Sequence, residues 1–219
     1  GLPAHLVFHL KSRDVGLGWR AGLSWEDPSV GLRISALYTA PMAFAVSGSQ
    51  WYNGANAGTT LTADIEMPQS LALRFERDVA PGWRGALDAQ WTEWSAFDDL
   101  RIKGATLMNG IGDAVLSTGF DDAVTLKAEL EHDLTADWRA AASLRWDQGV
   151  SGAVPDLWTL GASVARSFGD HVELELNAAL GWRMAGAASG VDSITGRSWS
   201  YRSEAGPVYG AGMRITLAF

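Results

Sequence analysis

Apolar and polar residues alternate along most of the chain, and the last fifteen residues show this pattern clearly. In residues 205–219, AGPVYGAGMRITLAF, one parity holds Met213, Ile215, Leu217 and Phe219, and the other holds mainly small or polar residues. Successive side chains of a β-strand point to opposite faces, so this segment predicts a strand with one apolar face. Similar segments predict ten strands, over residues 2–10, 16–25, 30–46, 60–77, 83–97, 120–132, 138–148, 157–168, 171–184 and 206–219.

The connections between these strands alternate in length. Short turns are predicted at residues 26–29, 78–82, 134–137 and 168–171, and a short connection at 11–14 is the exception. Longer loops, rich in Gly, Ser, Asn and Ala, are predicted at 47–59, 98–119, 149–156 and 185–205. Alternation of tight periplasmic turns with longer outer loops is typical of an up-and-down membrane barrel. It places the C-terminus on the short-turn, periplasmic side.

The two faces of the predicted strands differ consistently. In residues 171–183 one parity carries Val172, Leu174, Leu176, Ala178, Leu180 and Trp182, and the other carries Glu173, Glu175, Asn177 and Arg183. Residues 124–131 and 138–147 divide in the same way. A soluble sandwich would bury the apolar face, whereas a membrane barrel would turn it to lipid. Small apolar residues, and tryptophan near the strand ends, favour the barrel. We therefore predict an all-β, transmembrane, antiparallel up-and-down β-barrel.

Composition agrees with that fold and excludes several function classes. The 219 residues include 11 Trp and 25 Gly, and tryptophan concentrates in the aromatic girdles of membrane barrels. No apolar run is long enough for a spanning helix. A net charge of −8 argues against a nucleic-acid partner. The chain has no cysteine and therefore no disulfide or thiolate chemistry, and no pattern indicates a metal site, a phosphate loop or another cofactor. An enzymatic role lacks a residue arrangement to support it.

The final residue has a possible function of its own. Phe219 is an aromatic residue at the last outward-facing position of the last strand. Bacterial outer-membrane barrels show this pattern, and there the barrel insertion machinery reads it as a signal. The alternative is an edge strand that happens to stop at an aromatic residue. The recurrence of similar strands along the chain favours the signal and a location in the bacterial outer membrane.

Several stretches, in order, resemble the FadL family of outer-membrane transporters for long-chain fatty acids and hydrocarbons. They are FHLKSRDVGLGWRAGLSWEDPSVGLRISALYTAPM at 8–42, MPQSLALRFERDVAPGWRGALDAQWTEWSAFDDL at 67–100, GFDDAVTLKAELEHDLTADWRAAASLRWDQGV at 119–150 and VPDLWTLGASVARSF at 154–168. The most specific is WTEWSAF at 91–97. After Pro155-Asp156 the family has an arginine, and this chain has Leu157 and Trp158.

The resemblance implies a larger protein than this chain. Family members have a barrel of about fourteen strands with an N-terminal hatch that plugs it. We therefore expect residues 1–219 to be the C-terminal barrel portion, without the hatch and the first strands: a fragment, a cleaved chain, or a sequence whose first part is missing. The implied function is passive uptake of hydrophobic compounds, with outer-membrane lipid and lipopolysaccharide around the barrel. A structural or adhesive barrel without transport is the alternative, and a soluble sandwich that binds a partner is the third interpretation.

Two sets of residues are candidates for function. The first could form an apolar outer groove for a ligand, or could only pack the loops together; it consists of Trp51, Tyr52, Phe97, Leu107 and Met108. The second faces the lumen and could steer a carboxylate or form a structural network, with Arg145 or Lys127 pairing with Glu129 or Glu175 across strands. That lumen set comprises Arg20, Arg33, Arg74, Glu76, Asp88, Lys127, Glu129, Glu131, Arg145, Glu173, Glu175 and Arg214.

Overall fold

The computed structural model describes residues 6–11, 15–97, 99–107, 110–117, 119–169, 171–191 and 197–217. These residues form antiparallel strands and one 3₁₀ turn, Trp94–Phe97. The strands are β1 Leu6–Lys11, β2 Arg20–Asp27, β3 Leu32–Thr39, β4 Met42–Tyr52, β5 Ala55–Met67, β6 Ser70–Ala80, β7 Trp83–Thr92, β8 Asp99–Leu107, β9 Gly110–Ser117, β10 Ala123–Asp133, β11 Trp138–Asp147, β12 Leu157–Phe168, β13 Val172–Arg183, β14 Gly186–Val191, β15 Ser198–Ser203 and β16 Gly206–Leu217.

The main element is a nine-stranded antiparallel sheet in which neighbours follow one another along the chain. Its order is β2, β3, β6, β7, β10, β11, β12, β13, β16, and β2 and β16 form its edges among the described residues. The register is continuous except for a bulge between Asp78 and Ala80. This confirms the predicted all-β, antiparallel, up-and-down arrangement. No helix in the described ranges is long and apolar enough to cross a membrane.

The strands of the main sheet are staggered in a regular way. One register row runs through Ile34, Leu87, Leu144 and Leu180, among others. Short turns join β2 to β3, β6 to β7, β10 to β11 and β12 to β13. The second strand of each of these hairpins begins two, four, six and eight residues before its residue in this row, at Leu32, Trp83, Trp138 and Val172. The stagger is one residue per strand, or about 3.3 Å for each strand spacing of about 4.8 Å, which corresponds to a tilt of about 35°. That tilt is typical of a barrel wall.

The apolar face of this sheet is exposed and the charged face is partly buried, as in the wall of a membrane barrel. Leu144, Leu176 and Leu180 are 49%, 49% and 59% exposed, and nothing in the described chain covers them. On the opposite face the side chains of Glu129 and Glu175 are only 25% and 22% exposed. A soluble sandwich would show the reverse, so the structure contradicts that alternative. We name the apolar side the outward face and the charged side the lumen face.

Two rows of aromatic residues border the outward face. Trp83 and Trp138 begin β7 and β11, and Trp91 and Trp146 lie eight residues further along the same strands. Eight residues span about 26 Å along a strand and about 22 Å perpendicular to a membrane at a tilt of about 35°. An apolar band of about 25 Å between aromatic girdles is typical of outer-membrane barrels. Further members are Trp25 and Phe168 at the short-turn end, and Tyr38, Trp158 and Trp182 at the other.

A second sheet extends beyond the long-loop end of the main sheet. Its strand order is β1, β4, β5, β8, β9, and β4 and β5 continue β3 and β6 beyond Pro41 and Pro68. Proline has no backbone N–H to donate, which is why the ladder breaks at both positions. We call this the outer sheet. Its described core consists of Val46, Leu61, Ala63, Ile102, Ala105 and Ala114, with Ile65 and Leu100 packed against it.

The outer sheet corrects several sequence predictions. The strands predicted at 30–46 and 60–77 each divide into two, and the one predicted at 83–97 ends at Thr92. The predicted strand at 2–10 corresponds to β1, which pairs with β4 rather than with the main sheet. The predicted loop at 98–119 contains β8 and β9, and the one at 47–59 is the end of the β4–β5 hairpin. The predicted loop at 185–205 contains β14 and β15, which form a separate two-stranded sheet.

Two glycines with positive φ, one in a hairpin turn and one inside a strand, allow the outer sheet to form. Asn53 and Gly54 have φ values of 48° and 82°, the left-handed pair that a tight hairpin turn requires between β4 and β5. Gly104 has a φ of 78° and lies in an irregularity of the β8–β9 register. A Cβ atom there would approach the carbonyl oxygen of Thr60 to 2.6 Å, so only glycine fits.

Candidate functional site: lumen face and outer sheet

A ladder of ion pairs crosses the lumen face. Glu76 on β6 is its centre, because its carboxylate lies 3.0 Å from Arg74 and 4.0 Å from both Arg33 and Arg84. Arg74 also binds Asp88 on β7 at 2.9 Å through two hydrogen bonds from one nitrogen. Residues of opposite charge therefore alternate across β3, β6 and β7 and compensate one another on a partly buried face.

The ladder continues to β13. Glu131 on β10 accepts from Arg84 at 3.1 Å and lies 3.3 Å from Arg139 on β11. Arg139 then donates to Glu173 on β13 at 3.0 Å, across the intervening β12. The register partners of Arg139 and Glu173 on β12 are Ala165 and Ser167, both small, so the arginine side chain can reach across this strand. From Arg33 on β3 to Glu173 on β13, the charges of this ladder form one connected system.

Most of the other predicted lumen residues also find partners, whereas Arg20, exposed at the start of β2, takes part in no ion pair among the described residues. Lys127 binds Glu129 on its own strand, and Arg74 lies 3.8 Å from the same carboxylate. Arg214 on β16 lies 3.4 Å from Glu175.

The structure differs from expectation at Arg145. This residue pairs with Asp147 at 2.6 Å and with neither Glu129 nor Glu175. The register explains the difference, because the direct neighbours of Arg145 are Lys127, which has the same charge, and Thr159. The nearest carboxylate is therefore two residues away on its own strand.

The lumen face of β12, β13 and β16 is lined largely by small side chains, in contrast to the ladder. We call it the small-residue wall and define it as Gly161, Ser163, Ala165, Ala179, Gly181, Gly210 and Gly212. A Cβ atom added at Gly210 would meet no atom within 4 Å, so space is open in front of this position. This wall is not among the site residues predicted from sequence, although the parity of the strands already indicates it.

A polar cluster fixes the long-loop end of β7 and β10. The Nε1 of Trp91 donates to Asp122 Oδ2 at 3.1 Å, and Ser95 donates to Asp122 Oδ1 through Oγ at 2.6 Å and through its backbone N at 3.2 Å. These bonds, first of all the one from the Ser95 hydroxyl, hold the pKa of Asp122 below its ordinary value. Residues 91–97 thus act as a structural clasp where β7 ends and the outer sheet begins.

Two further contacts reinforce this end of the wall. Glu93 accepts from Gln69 Nε2 at 2.7 Å, and Gln69 in turn accepts from the hydroxyl of Tyr38. A similar arrangement joins β11 to the start of β12. There Trp146 Nε1 and the Gly149 N–H donate to the two carboxylate oxygens of Asp156, at 3.0 and 2.8 Å. We call the aromatic row at the long-loop end the outer aromatic row. Two of its tryptophans, Trp91 and Trp146, thus each donate to the aspartate that precedes the next strand of the main sheet.

The residues predicted for the outer groove are only partly described. Trp51 donates through Nε1 to Ser49 at 3.1 Å, and the ring of Phe97 stacks on that of Phe120 at 6.5 Å. The side chains of Tyr52 and Leu107, and all of Met108, lie outside the described residues, as does Phe219. The ligand groove and the insertion signal therefore stay predictions.

Replacement of Asp122 by asparagine should loosen the clasp. An amide nitrogen cannot accept the Trp91 hydrogen bond, so we expect a loss of about 1 kcal/mol of local stability. Hydrogen exchange at neutral pH should then accelerate in a peptide that covers residues 93–97. Since the folded pKa is lowered, the wild-type clasp is intact above the ordinary aspartate pKa and is lost as the pH falls through the folded value. Unchanged exchange in Asp122→Asn would contradict the role given to this carboxylate.

Comparison with known proteins agrees with this geometry. The sequence model of the family described as outer membrane protein transport protein (OMPP1/FadL/TodX) matches residues 3–166, about three quarters of the chain. The chain belongs to the FadL/TodX family. The resemblance carried by the motifs at 8–42, 67–100, 119–150 and 154–168 is thereby confirmed. No curated protein sequence matches the chain.

Solved structures extend the likeness to the C-terminal region. A FadL homologue from Pseudomonas aeruginosa is 17% identical with a TM-score of 0.70, and the match covers 91% of this chain and 52% of the homologue. The toluene transporter TodX of Pseudomonas putida is 18% identical, with a TM-score of 0.54 and coverages of 94% and 50%. The monoaromatic hydrocarbon channel CymD is 16% identical, with a TM-score of 0.54 and coverages of 93% and 51%.

These FadL-type neighbours share the fold of this chain and exceed it in size. The chain spans about half the length of each of them. The predicted membrane-barrel architecture and the FadL/TodX assignment are both confirmed.

Proposed function

We propose that this FadL/TodX chain is the C-terminal portion of an outer-membrane channel for passive uptake of hydrophobic compounds, such as long-chain fatty acids or hydrocarbons. The observation that carries the proposal is the two-faced main sheet, apolar and exposed outside, polar and partly buried inside, with the outer sheet continuing its strands at one end. TodX and CymD, a toluene transporter and a monoaromatic hydrocarbon channel, support the same class of compound.

The orientation follows from the hairpin lengths. We place the short turns and the C-terminus in the periplasm and the outer sheet outside the cell, in contact with lipopolysaccharide. The hatch and the first strands of the barrel would come from residues that precede this chain, and they would pair with the open edges at β2 and β16. Phe219 would present the chain to the barrel insertion machinery.

The route through the lumen would avoid the ion-pair ladder. A hydrophobic compound gains nothing from a row of paired charges, but it can pass the uncharged small-residue wall of β12, β13 and β16. No reacting group is needed, because a concentration gradient and apolar contacts supply the driving force. The ladder itself favours a second candidate, a structural barrel without transport, in which the connected charges lock the interior.

Uptake by cells separates the two candidates. The protein should be produced in the outer membrane of a bacterium that lacks its own channel of this type, and the initial uptake of radiolabelled oleate and toluene should be measured. We expect uptake to rise in proportion to the external concentration and to persist when a protonophore removes the proton gradient. Uptake equal to that of cells without the protein would leave the structural barrel as the better interpretation.

A paired substitution tests the route. Gly210→Trp places a large ring in the open space before the small-residue wall, whereas Ala211→Trp places the same ring on the outward face of the same strand. We expect Gly210→Trp to reduce uptake towards the background and Ala211→Trp to leave it unchanged, with equal amounts of both variants in the outer membrane. Equal uptake by the two variants would contradict a path along this wall.

A further inference from the structure

The outward face of the main sheet is almost free of formal charge. Its described strand positions carry only Asp27, Arg77 and Arg166, all of them close to the short turns. Asp27 sits at a turn, where its carboxylate accepts hydrogen bonds from Ser29. The two arginines instead project among the outward-facing apolar side chains, and no ion pair involves them within the described chain.

Arg77 and Arg166 lie at the same depth. Arg77 is two residues from Phe75 and Arg166 six residues from Leu160, and both reference residues belong to the register row used above. Arg166 is thus four residues further from the row than Arg77. The strands β6 and β12 are four positions apart in the sheet, and the stagger of one residue per strand compensates this difference of four residues. Four strand spacings of about 4.8 Å and the four-residue stagger of about 13 Å together separate them by about 23 Å, too far for both to bind one phosphate group.

The depth of Arg77 and Arg166 in the bilayer determines which groups surround their guanidinium groups. An arginine on the lipid face is destabilising by about 2–4 kcal/mol at the midplane and by about 0–1 kcal/mol near an interface. Both residues lie beside the short-turn aromatic row that includes Trp83 and Trp138, where phospholipid headgroups begin. A guanidinium at this level can satisfy its donors only with water or with headgroup oxygens.

Arg166 is held in a geometry suited to phosphate. Its guanidinium carbon lies 5.2 Å from the ring centroid of Trp138 and 4.7 Å from that of Phe168. Cation–π contacts stabilise the charge without using its N–H donors. The planar group is therefore oriented while its donors stay available for a bidentate bond to an anion.

Arg77 borders an apolar groove. The depression has a volume of about 470 Å³, with a floor of small residues that includes Gly85, Ala128 and Ala142. Its walls include Phe75, Val79, Leu130 and Leu160. Gly85, the register partner of Arg77, has no side chain, which leaves the groove open beside the guanidinium. An acyl chain in this groove would bring its headgroup to Arg77.

We propose that Arg77 and Arg166 each bind the phosphate of an anionic glycerophospholipid in the leaflet at the short-turn end, and that the Arg77 site also holds an acyl chain in the groove. The charge complementarity and the groove together select a lipid rather than a free anion. The proposal depends on the membrane placement of the sheet and not on uptake, so a negative uptake experiment leaves it intact.

The test uses the purified full chain in detergent and counts retained lipids by native mass spectrometry. The probes are phosphatidylglycerol, diacylglycerol with the same acyl chains, and inorganic phosphate. We expect two retained phosphatidylglycerol molecules, about tenfold weaker retention of diacylglycerol, and no displacement of the lipid by equimolar phosphate. Arg77→Gln and Arg166→Gln should each lose one lipid, and the double variant should lose both.

The control is Arg183→Gln. It removes an exposed arginine from the lumen face at the long-loop end of β13, far from the short-turn end, and this variant should retain both lipids. Circular dichroism and heat-dependent gel mobility should match the wild type in every variant. Equal retention by the double variant and the wild type would overturn the proposal. So would equal retention of diacylglycerol, or displacement of the lipid by phosphate, which would indicate a site for free anions.

Discussion

Leu176→Arg will destabilise the folded protein in a bilayer by about 2–4 kcal/mol. Leu176 is 49% exposed on the outward face of β13, six residues from Trp182 in the outer aromatic row and four residues from the start of the strand at Val172. It therefore lies in the middle of the apolar band, where a guanidinium reaches neither interface without distorting the lipid. The free energy of unfolding in urea, measured in phospholipid vesicles, gives the difference directly.

The matched control is Asn177→Arg, one residue further along the same strand. Asn177 is also exposed, but it belongs to the lumen face. In a soluble sheet two exposed neighbours would tolerate arginine about equally, because both would face water. In a membrane barrel only the outward residue faces hydrocarbon, so Asn177→Arg should unfold within about 1 kcal/mol of the wild type. Equal losses at the two positions would refute the assignment of the faces.

The division of β13 into two faces can be predicted from sequence, because alternation of side chains along a strand does not depend on tertiary contacts. Leu174, Leu176 and Leu180 share a parity, and the paired charges of Glu173 and Glu175 hold the other. Nothing local distinguishes water from lipid on the apolar side. Tryptophan at the strand ends and the alternating hairpin lengths favour lipid, because they reflect the thickness and the sidedness of the membrane.

Within the outer sheet, the sequence predicts a loop where the structure has β8 and β9, for the same physical reason that makes this sheet compact. The core positions of these two strands include Ala105 and Ala114, and residues this small give a weak alternation signal. Gly104, at the irregularity in β8, interrupts what remains of the pattern. A segment rich in Gly, Ser and Ala therefore read as a loop, although its backbone groups pair across strands in the structure.

The pairing of the lumen charges could not be predicted from parity alone. Parity places Arg145 and Glu129 on one face, but only the register shows that Lys127 and Thr159 are the direct neighbours of Arg145. Register depends on turn geometry and on the stagger of the whole sheet. The long-range pair between Arg139 and Glu173 depends further on the small size of Ala165.

Leu61→Ala is expected to unfold the outer sheet locally while the main sheet persists. Leu61 is 0% exposed and belongs to the same core as Ile102, which is 1% exposed. Truncation of a fully buried leucine removes apolar contacts and leaves a cavity, with a loss of about 2–5 kcal/mol. The outer sheet is joined to the main sheet at Pro41 and Pro68, where the strand ladder is interrupted, so the loss should stay on one side of these breaks.

Hydrogen exchange followed by mass spectrometry resolves the two sheets. Peptides from β4, β5 and β8 should lose protection in Leu61→Ala, while peptides from β10–β13 should match the wild type. Thr62→Ala is the control, since Thr62 is the exposed neighbour on the other face of β5 and its truncation leaves the core intact. Simultaneous loss of protection in both sheets would show one cooperative unit across the prolines. The outer sheet could then not rearrange independently of the main sheet during the proposed uptake.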